Sequence, residues 1–254
     1  MNDRPTIQVT FPVLNEEAQL EASVEKTLAF CAAHGLTIAE FCIADNGSTD
    51  RTPEIGEALA ARHDNVTYLR VGKRGFGLAL KHAWGQSDAD FVGYMDLDLA
   101  TDLKHLAEVH AHVMSGAPYD FYLGSRLKPG ATVRKRSLLR AMTSRAFNAL
   151  LRARLGVGFS DAMCGFKFIR RGLYEEMAGR FTFSDDWFFV AQLAVRGEWL
   201  SARMLDMPVE WTDDPNSASG ARLFNLSRLY LEGISELKQE MRRLDTQPPV
   251  TAQS

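Results

Sequence analysis

The first hundred residues alternate between two hydrophobic periods. Short apolar runs rich in β-forming residues predict strands at 7–11, 40–44, 66–71 and 90–95. The intervening segments carry helical spacing or helix-starting residues, at 16–33, from Pro53 onward and at 75–86. This βαβαβαβ order predicts an α/β fold, a single Rossmann-like domain with a mostly parallel central sheet.

The second half has a different pattern. It predicts strands at 120–123, 161–169 and 200–210, and helices at 137–155, 185–196 and 222–243. We therefore expect one domain over residues 1–219, a C-terminal amphipathic helix over 220–245 and a polar, disordered tail over 246–254.

Polar residues and glycines follow each of the first four predicted strands. In a parallel sheet the ligand lies beyond the carboxyl ends of the strands, so we expect one crevice to collect these residues. They are Asn15, Glu16, Asp45, Asp50, Gly75, Gly77, Asp96 and Asp98.

Asp96 and Asp98 come directly after an apolar strand. Two carboxylates at this spacing can bind a divalent cation that also bridges two phosphates, and Mg²⁺ and Mn²⁺ prefer such oxygen ligands. The cation would offset the charge on a departing diphosphate. The alternative is a pair of solvated loop carboxylates, and the position at a strand end favours the metal site.

Two other strand ends have both a functional and a structural interpretation. The Asp45 carboxylate can accept a hydrogen bond from a nucleotide base, whereas the run at 45–50 also reads as a helix cap. Gly75 and Gly77 follow two basic residues and can bring backbone N–H groups close to a diphosphate, or they form only a tight turn.

Residues 121–160 contain no Asp or Glu and nine Lys or Arg. Arg126 follows a predicted strand, and Arg140 and Ser144 share a face of the next helix because they are one turn apart. Arginine suits bidentate contact with phosphate. A basic amphipathic helix is a candidate for phosphate ligands or for a membrane surface, and the alternative is a solvated basic face.

The predicted C-terminal helix is amphipathic and basic as well. Its pattern fits a helix packed on its own domain or on a second subunit, and equally a helix that lies on anionic lipid or docks on a small membrane-protein partner. The apolar positions are Leu223, Leu226, Tyr230, Ile234, Leu237 and Met241.

Composition narrows the class of protein. A net charge of −3 argues against a nucleic-acid partner. Three cysteines without metal-ligand spacing predict reduced thiols in a cytoplasmic protein. The sequence has neither the run of about 18 apolar residues that spans a bilayer nor the apolar core of a signal peptide. The expected location is the cytoplasm, either free or peripheral on the membrane.

Taken in order, these motifs resemble the family 2 glycosyltransferases of GT-A fold, and within them the dolichol-phosphate mannose synthase and glucosyltransferase group. The similarity spans about residues 7–219. The motifs are Pro12-Val-Leu-Asn15-Glu16, Asp45 to Asp50, Gly75-Phe-Gly77, Asp96-Leu-Asp98, Gly124-Ser-Arg126, Arg140 with Ser144, Asp161, Cys164-Gly-Phe-Lys167, Pro208-Val-Glu-Trp211 and Asp214-Pro-Asn-Ser217.

The resemblance implies roles for individual residues. Asp96 and Asp98 would hold Mg²⁺ or Mn²⁺ together with the diphosphate of a GDP- or UDP-sugar, and Arg126, Arg140 and Ser144 would meet the phosphate of a polyprenyl or dolichyl acceptor. The implied nucleotide-binding set is Pro12, Asn15, Glu16, Asp45, Gly75 and Asp96. The implied catalytic set is Asp98, Arg126, Arg140 and Asp186.

Three positions depart from the family pattern. Ala100 stands where mannose synthases often carry a Gln that assists the metal. Ser184 replaces the first acid of an F-D-x-E pattern in which Asp186 takes the place of the Glu. Ala218 replaces a Lys or Arg, and Arg222 is the candidate substitute for that phosphate contact.

The expected reaction moves a hexose from GDP-mannose or UDP-glucose to a polyprenyl phosphate with inversion at the anomeric carbon. A phosphate acceptor is already ionised at pH 7, whereas a hydroxyl acceptor needs a carboxylate base, for which Asp186 is the candidate. The alternatives are a soluble glycosyltransferase with a hydroxyl acceptor, a nucleotidyltransferase and a non-catalytic nucleotide-sugar-binding subunit. The loop after the first strand lacks the glycines and lysine that a nucleotidyltransferase usually needs.

Overall fold

The computed structural model describes residues 4–213 and 223–246, with the side chains of the last helix described over 230–243. The described chain divides into two units. The larger contains residues 4–136 and 159–213, and the smaller contains residues 137–158 and 223–246.

The larger unit is built on a seven-stranded sheet. Its strands are Ile7–Val13 (β1), Glu40–Asp45 (β2), Val66–Arg70 (β3), Phe91–Met95 (β4), Phe121–Ser125 (β5), Phe166–Arg170 (β7) and Met204–Pro208 (β8). Their spatial order is β3-β2-β1-β4-β7-β5-β8, and all neighbours are parallel except β7, which runs antiparallel to β4 and β5. Thr132–Arg134 (β6) and Glu210–Thr212 (β9) form a separate parallel pair.

Six helices accompany the sheet among the described residues of the larger unit. They are Leu20–Ala33 (α1), Thr52–Arg62 (α2), Phe76–Gly85 (α3), Lys104–Met114 (α4), Arg171–Arg180 (α6) and Phe189–Trp199 (α7). None of the helices that the structure describes has both the length and the hydropathy needed to cross a membrane.

The smaller unit pairs two helices, Leu138–Leu155 (α5) and Leu223–Thr246 (α8). α5 begins at an N-cap, because the Ser137 side chain accepts the Arg140 N–H at 3.3 Å. It ends at Gly156, whose φ of 69° suits glycine. α5 contacts α8 through Phe147 and Tyr230, whose ring centroids lie 5.1 Å apart.

Strand register aligns the loops that carry the candidate site. Val13 pairs with Asp45, and Thr10 pairs with Tyr94, so β1, β2 and β4 end at one edge of the sheet. β4 is buried along its whole length, as expected of a strand whose two faces are both covered. The buried run of β4 ends at Met95, and the next residue, Asp96, is the first charged side chain after the strand.

The predicted α/β fold with a mostly parallel sheet is confirmed. The strand predicted at 161–169 is wrong over its first half, because the Asp161 side chain accepts the Met163 N–H and makes a turn before β7. The helix predicted from 185 begins only at Phe189, since Asp186 Oδ1 accepts the Phe188 N–H at 2.7 Å. The strand predicted at 200–210 is correct only over β8, residues 204–208, because residues 200–203 lie outside any strand and Glu210 begins the separate strand β9.

Three elements had no prediction: α4, α6 and β6. The pattern of α4 was available, since its buried residues Leu106, Val109 and Val113 recur at helical spacing. The motif at 214–217, together with Ala218, Arg222 and the predicted tail over 247–254, lies outside the described residues. The domain boundaries at 219 and 245 stay predictions.

The Asp120 carboxylate joins three strands at the opposite edge of the sheet. Arg203 donates two hydrogen bonds of 2.8 Å to it, and Arg170 donates one of 3.1 Å. Asp120 immediately precedes β5, Arg203 immediately precedes β8, and Arg170 is the last residue of β7. The hydrogen bonds from Arg203, supported by Arg170, lower the pKa of Asp120 to about 2 against the opposing effect of burial.

We predict that this carboxylate stabilises the fold only while it is ionised. Because its pKa is depressed in the folded state, the stabilisation is present above pH 4 and is lost as the pH falls from about 4 to 2. Asp120→Asn should lower the free energy of unfolding at pH 7 by about 1–2 kcal/mol, after allowance for the exposure of Arg203. Urea unfolding from pH 7 to pH 3 measures this, with Asp64→Asn as the control. A loss that does not shrink on acidification would contradict the prediction.

Candidate active site

The two carboxylates that follow β4 are held by a tight backbone turn. The Asp96 N–H donates to the Gly165 carbonyl at 3.0 Å, and the Asp96 carbonyl accepts the Leu99 N–H at 3.2 Å. Asp98 Oδ1 accepts the Ala100 N–H at 3.0 Å. Leu99 has a φ of 51°, in the left-handed region that a leucine seldom adopts. Asp96 is therefore half-buried against β7, while Asp98 is exposed.

Gly165 forms the floor beneath the Asp96 carboxylate. A Cβ built on Gly165 would lie 1.7 Å from Oδ2 and 2.1 Å from Cγ of Asp96, which is inside their van der Waals radii. Any side chain at position 165 would occupy the place of the carboxylate. The glycine of the Cys164-Gly-Phe-Lys167 motif is thus required by the position of Asp96.

The electrostatic environment of Asp96 fits a bound cation. Burial raises the pKa of Asp96, the negative charges of Asp98 and Glu16 raise it further, and Arg126 and Lys167 oppose the rise. Among the described residues, no group of three or more His, Cys, Asp or Glu side chains is placed to hold a metal unaided. A divalent cation bound to Asp96 and Asp98 therefore needs further oxygen ligands from a substrate, as Mg²⁺ and Mn²⁺ sites at phosphates commonly do.

The loops after β1 and β2 bind each other through reciprocal hydrogen bonds. Asn15 donates its N–H to Ser48 Oγ at 2.9 Å, and its side-chain oxygen accepts the Thr49 N–H at 2.8 Å. Glu16 donates its N–H to Thr52 Oγ1 at 2.8 Å. Asn15 tolerates a φ of 57°, which lets the chain turn at this point. The structure thus brings the predicted nucleotide-side residues Asn15 and Glu16 against the loop that begins at Asp45.

Asp45 is fully buried and holds two partners. Its Oδ1 accepts the Ser48 N–H at 2.8 Å, and its Oδ2 accepts the Tyr68 hydroxyl proton at 2.6 Å. Burial and the hydrogen bond to Asp45 both raise the pKa of Tyr68. Asp45 therefore shapes the β2–α2 loop, and Tyr68 is a site residue that the sequence reasoning missed because a tyrosine inside a strand usually belongs to the core.

The two glycines at the start of α3 allow a close approach by another segment of the chain. Added Cβ atoms would lie 2.7 Å from the Asp185 carbonyl oxygen at Gly75 and 2.6 Å from the Ser184 carbonyl oxygen at Gly77. Asn46 accepts the Gly75 N–H through its side-chain oxygen. Close packing against residues 184 and 185 is by itself a reason for glycine at both positions. The contact of their N–H groups with a diphosphate stays a prediction.

The segment that carries Asp186 contacts α3 and the loop before it through ion pairs and ring stacking. Asp185 binds Lys73 at 3.0 Å and Lys81 at 2.5 Å, and Trp187 stacks on Phe76 with centroids 3.7 Å apart. Asp186 is half-buried, and one of its carboxylate oxygens is engaged by the Phe188 N–H. Lys73 is thereby drawn to Asp185, a partner that the sequence did not indicate.

Arg126 belongs to a buried ion pair. Its Nε and Nη2 donate to the two oxygens of Asp161 at 2.7 and 3.1 Å, and Asp161 has no exposed surface. Lys167 is fully buried nearby and donates to the Cys164 carbonyl at 2.6 Å; burial lowers its pKa. The three charged residues surround the turn that ends at Gly165.

Arg140, Ser144, Pro12 and Ala100 are further residues that the sequence analysis singled out. Arg140 and Ser144 are both on α5, in the smaller unit, and Ser144 accepts the Asn148 side-chain N–H through its carbonyl. Pro12 is half-buried in β1 at the position opposite Ala44. Ala100 is buried, and its carbonyl accepts the Thr212 N–H at 2.8 Å.

Comparison with known proteins adds the family context. The family model described as glycosyl transferase family 2 matches residues 9–178. The chain is 33% identical over 250 residues to glycosyltransferase AglD of Haloferax volcanii, covering 96% of this chain and 38% of that protein. It is 29% identical over 217 residues to polyprenol monophosphomannose synthase of Mycolicibacterium smegmatis, covering 83% of this chain and 79% of that one.

The fold has solved counterparts. Glucosyl-3-phosphoglycerate synthase of Mycobacterium tuberculosis, crystallised with Mn²⁺, UDP and glucosyl-3-phosphoglycerate, superposes with a TM-score of 0.63 at 19% sequence identity. The alignment covers 91% of this chain and 80% of the other. This similarity confirms the GT-A fold that the sequence resemblance implied.

We predict that Gly165→Ala disables the carboxylate pair. The added methyl must displace the Asp96 carboxylate, so Mn²⁺-dependent binding of UDP or GDP should weaken by roughly tenfold or more. Isothermal titration calorimetry with each nucleotide, with and without Mn²⁺, measures the effect. Gly172→Ala is the matched control, because nothing lies within 4 Å of its added Cβ. Wild-type affinity in a folded Gly165→Ala protein would show that the floor is not needed.

Proposed function

This chain belongs to glycosyl transferase family 2, and from that membership we propose that it is a metal-dependent, inverting hexosyltransferase. Its donor is GDP-mannose or UDP-glucose, and its acceptor is a polyprenyl or dolichyl phosphate. The observation that carries the proposal is the Asp96–Asp98 pair at the end of β4, an acidic site in need of a cation and of phosphate oxygens.

The loops at the carboxyl edge of the parallel strands form the donor site in this proposal. Asp96 and Asp98 hold Mg²⁺ or Mn²⁺, which, when bound, supplies positive charge to the leaving diphosphate. Glu16 and the β2–α2 loop, which begins after Asp45, bind the nucleotide. Gly75 lies beside that loop, at the start of α3. The partial burial of Asp96 strengthens these electrostatic contacts relative to those in water.

The acceptor side needs cations and no strong base. An oxygen of the acceptor phosphate attacks the anomeric carbon, the bond to the nucleoside diphosphate breaks on the opposite face, and the configuration inverts. Arg126, Arg140 and Ser144 bind the acceptor phosphate in this proposal. Similarity to enzymes named for polyprenyl or dolichyl phosphate acceptors supports such an acceptor, among them the polyprenol monophosphomannose synthase and a dolichyl-phosphate β-glucosyltransferase of Trichomonas vaginalis.

A second acceptor class has an observation in its favour. The structurally similar glucosyl-3-phosphoglycerate synthase was crystallised with phosphoglyceric acid, a small soluble molecule. If this chain glycosylates a hydroxyl group instead, Asp186 is the candidate base. The transfer assay therefore includes a soluble phosphate ester.

The decisive experiment is a transfer assay with radiolabelled GDP-mannose and UDP-glucose, undecaprenyl phosphate and either Mn²⁺ or Mg²⁺. Label should enter the lipid fraction, and Asp98→Asn should lower kcat by about 100-fold, because a metal ligand is lost. Asp88→Asn, at an exposed position, is the control. Transfer to 3-phosphoglycerate alone would favour the hydroxyl acceptor, and release of hexose 1-phosphate from the donor would indicate transfer of the nucleotidyl group instead.

The first turns of α5 suit the surface of a membrane that contains a lipid acceptor. Leu138, Leu139 and Met142 are 83%, 60% and 67% exposed, which is unusual for side chains of this size. Lys135 and Arg145 are exposed on either side of them in the sequence. Apolar side chains among cations are what an anionic lipid surface binds.

We predict that replacing Leu138, Leu139 and Met142 with Gln lowers binding to vesicles of phosphatidylglycerol and phosphatidylcholine by roughly tenfold, because their burial in the lipid is lost. Cosedimentation measures the binding. The matched control replaces the two leucines with Ile and Met142 with Leu, which keeps the apolar surface. Equal binding by both triple variants would exclude this surface as the membrane contact.

A further inference from the structure

A lysine without exposed surface lies in the strand beside the acidic pair. Lys167 is in β7, where it pairs with Tyr94 of β4 and with Leu123 of β5. Its exposed fraction is 0%. Lysine is almost never fully buried without a partner, because an amine taken out of water loses its hydrogen bonds to water. A specific contact must therefore compensate for the burial of Lys167.

That contact is with the backbone carbonyl of Cys164. Lys167 Nζ donates to this oxygen at 2.6 Å, and the Tyr94 hydroxyl donates to the same oxygen at 3.2 Å. The amine nitrogen also lies 5.9 Å from the centroid of the Tyr94 ring. A carbonyl oxygen has two lone pairs, so two side chains from adjacent strands use its full capacity and fix its direction.

The Cys164 carbonyl belongs to the peptide group that joins Cys164 to Gly165. Because a peptide group is planar, a fixed carbonyl also fixes the nitrogen and the α-carbon of Gly165. The next carbonyl, that of Gly165 itself, accepts the Asp96 N–H at 3.0 Å. Both peptide groups that flank the Gly165 α-carbon are thus held by hydrogen bonds, although a glycine by itself has wide freedom in φ and ψ.

The α-carbon that these hydrogen bonds hold is the one beneath the Asp96 carboxylate. A Cβ on Gly165 would overlap both carboxylate oxygens, so there is no spare room between the two residues. A rotation of the Cys164–Gly165 peptide group would press the α-carbon and its hydrogens against the carboxylate, and the carboxylate would have to move. The direction of the Cys164 carbonyl therefore affects the position of a candidate metal ligand.

We propose that Lys167 is a positioning residue for the metal site. Its amine, together with the Tyr94 hydroxyl, directs the Cys164 carbonyl and so keeps Gly165 in place beneath the Asp96 carboxylate. Lys167 acts through the backbone and does not touch the cation or the nucleotide. The inference rests on the proposed function, because it adds a supporting residue to the site at which Asp96 and Asp98 hold a divalent cation.

Calorimetry of UDP and GDP binding, with and without Mn²⁺, tests this role. Lys167→Met keeps a long unbranched side chain and removes the donor, so the affinity measured with Mn²⁺ should fall by about tenfold. The affinity without Mn²⁺ should stay unchanged, because the loop after β2 is held by other hydrogen bonds, among them that from Tyr68 to Asp45.

Tyr94→Phe is a second variant, which keeps the test available if Lys167→Met does not fold. It removes only a hydroxyl group, and its ring can keep the T-shaped contact with Phe76. The longer hydrogen bond to the Cys164 carbonyl is lost, so the affinity with Mn²⁺ should fall by about threefold, again without a change in the affinity measured without Mn²⁺. Phenylalanine changes no charge, so a loss of the same kind in both variants identifies the carbonyl as their shared target.

Asp120→Asn is the control for stability. It is expected to destabilise the fold at the opposite edge of the sheet, and it should keep the wild-type response to Mn²⁺. Wild-type Mn²⁺ dependence in a folded Lys167→Met or Tyr94→Phe protein would overturn the role of Lys167 while the transferase proposal stands. A loss that is equal with and without Mn²⁺, or one that Asp120→Asn shares, would overturn it as well. If the wild type itself binds neither nucleotide more tightly with Mn²⁺, both proposals fail.

Discussion

The excess of negative charge around Asp96 is the constraint on which the site depends. Asp96 is half-buried, Asp98 and Glu16 add their negative charges, and Arg126 and Lys167 oppose them. A divalent cation bound to these carboxylates would offset their charge, and the phosphate oxygens of a substrate could then complete its coordination. Glycine is required at position 165 because a Cβ there would overlap the Asp96 carboxylate.

Other charged residues near Asp96 are buried, and they have partners within the chain. Asp161 binds Arg126, and Lys167 and the Tyr94 hydroxyl both donate to the Cys164 carbonyl. A buried pair of this kind adds little net stability, because the cost of taking two charges out of water offsets their attraction. Loss of one partner alone is nevertheless destabilising, because it leaves an uncompensated buried charge. The guanidinium carbon of Arg126 also lies 5.3 Å from the ring centroid of Trp211.

The residues proposed for the donor and those proposed for the acceptor differ in charge. On the donor side, loops after three parallel strands bind one another and present carboxylates. Arginines follow β5 and β6 in the larger unit, and α5 of the smaller unit carries further arginines together with the exposed Leu138 and Leu139. This division suits a reaction in which a cation neutralises the leaving group and arginines hold an anionic nucleophile.

The sequence by itself determined the α/β alternation, the strand ends that bear the site and the order of the motifs, because hydrophobic period and turn residues are local properties. Tertiary structure alone decided which partners these residues have: Asp45 with Tyr68, Asp161 with Arg126, and Gly165 beneath Asp96. It also decided that β7 runs antiparallel to its neighbours and that Arg136 lies near the Trp211 ring, next to the β6–β9 pair. Such contacts join residues far apart in the chain, and their energies depend on burial and on neighbouring charges that no local pattern records.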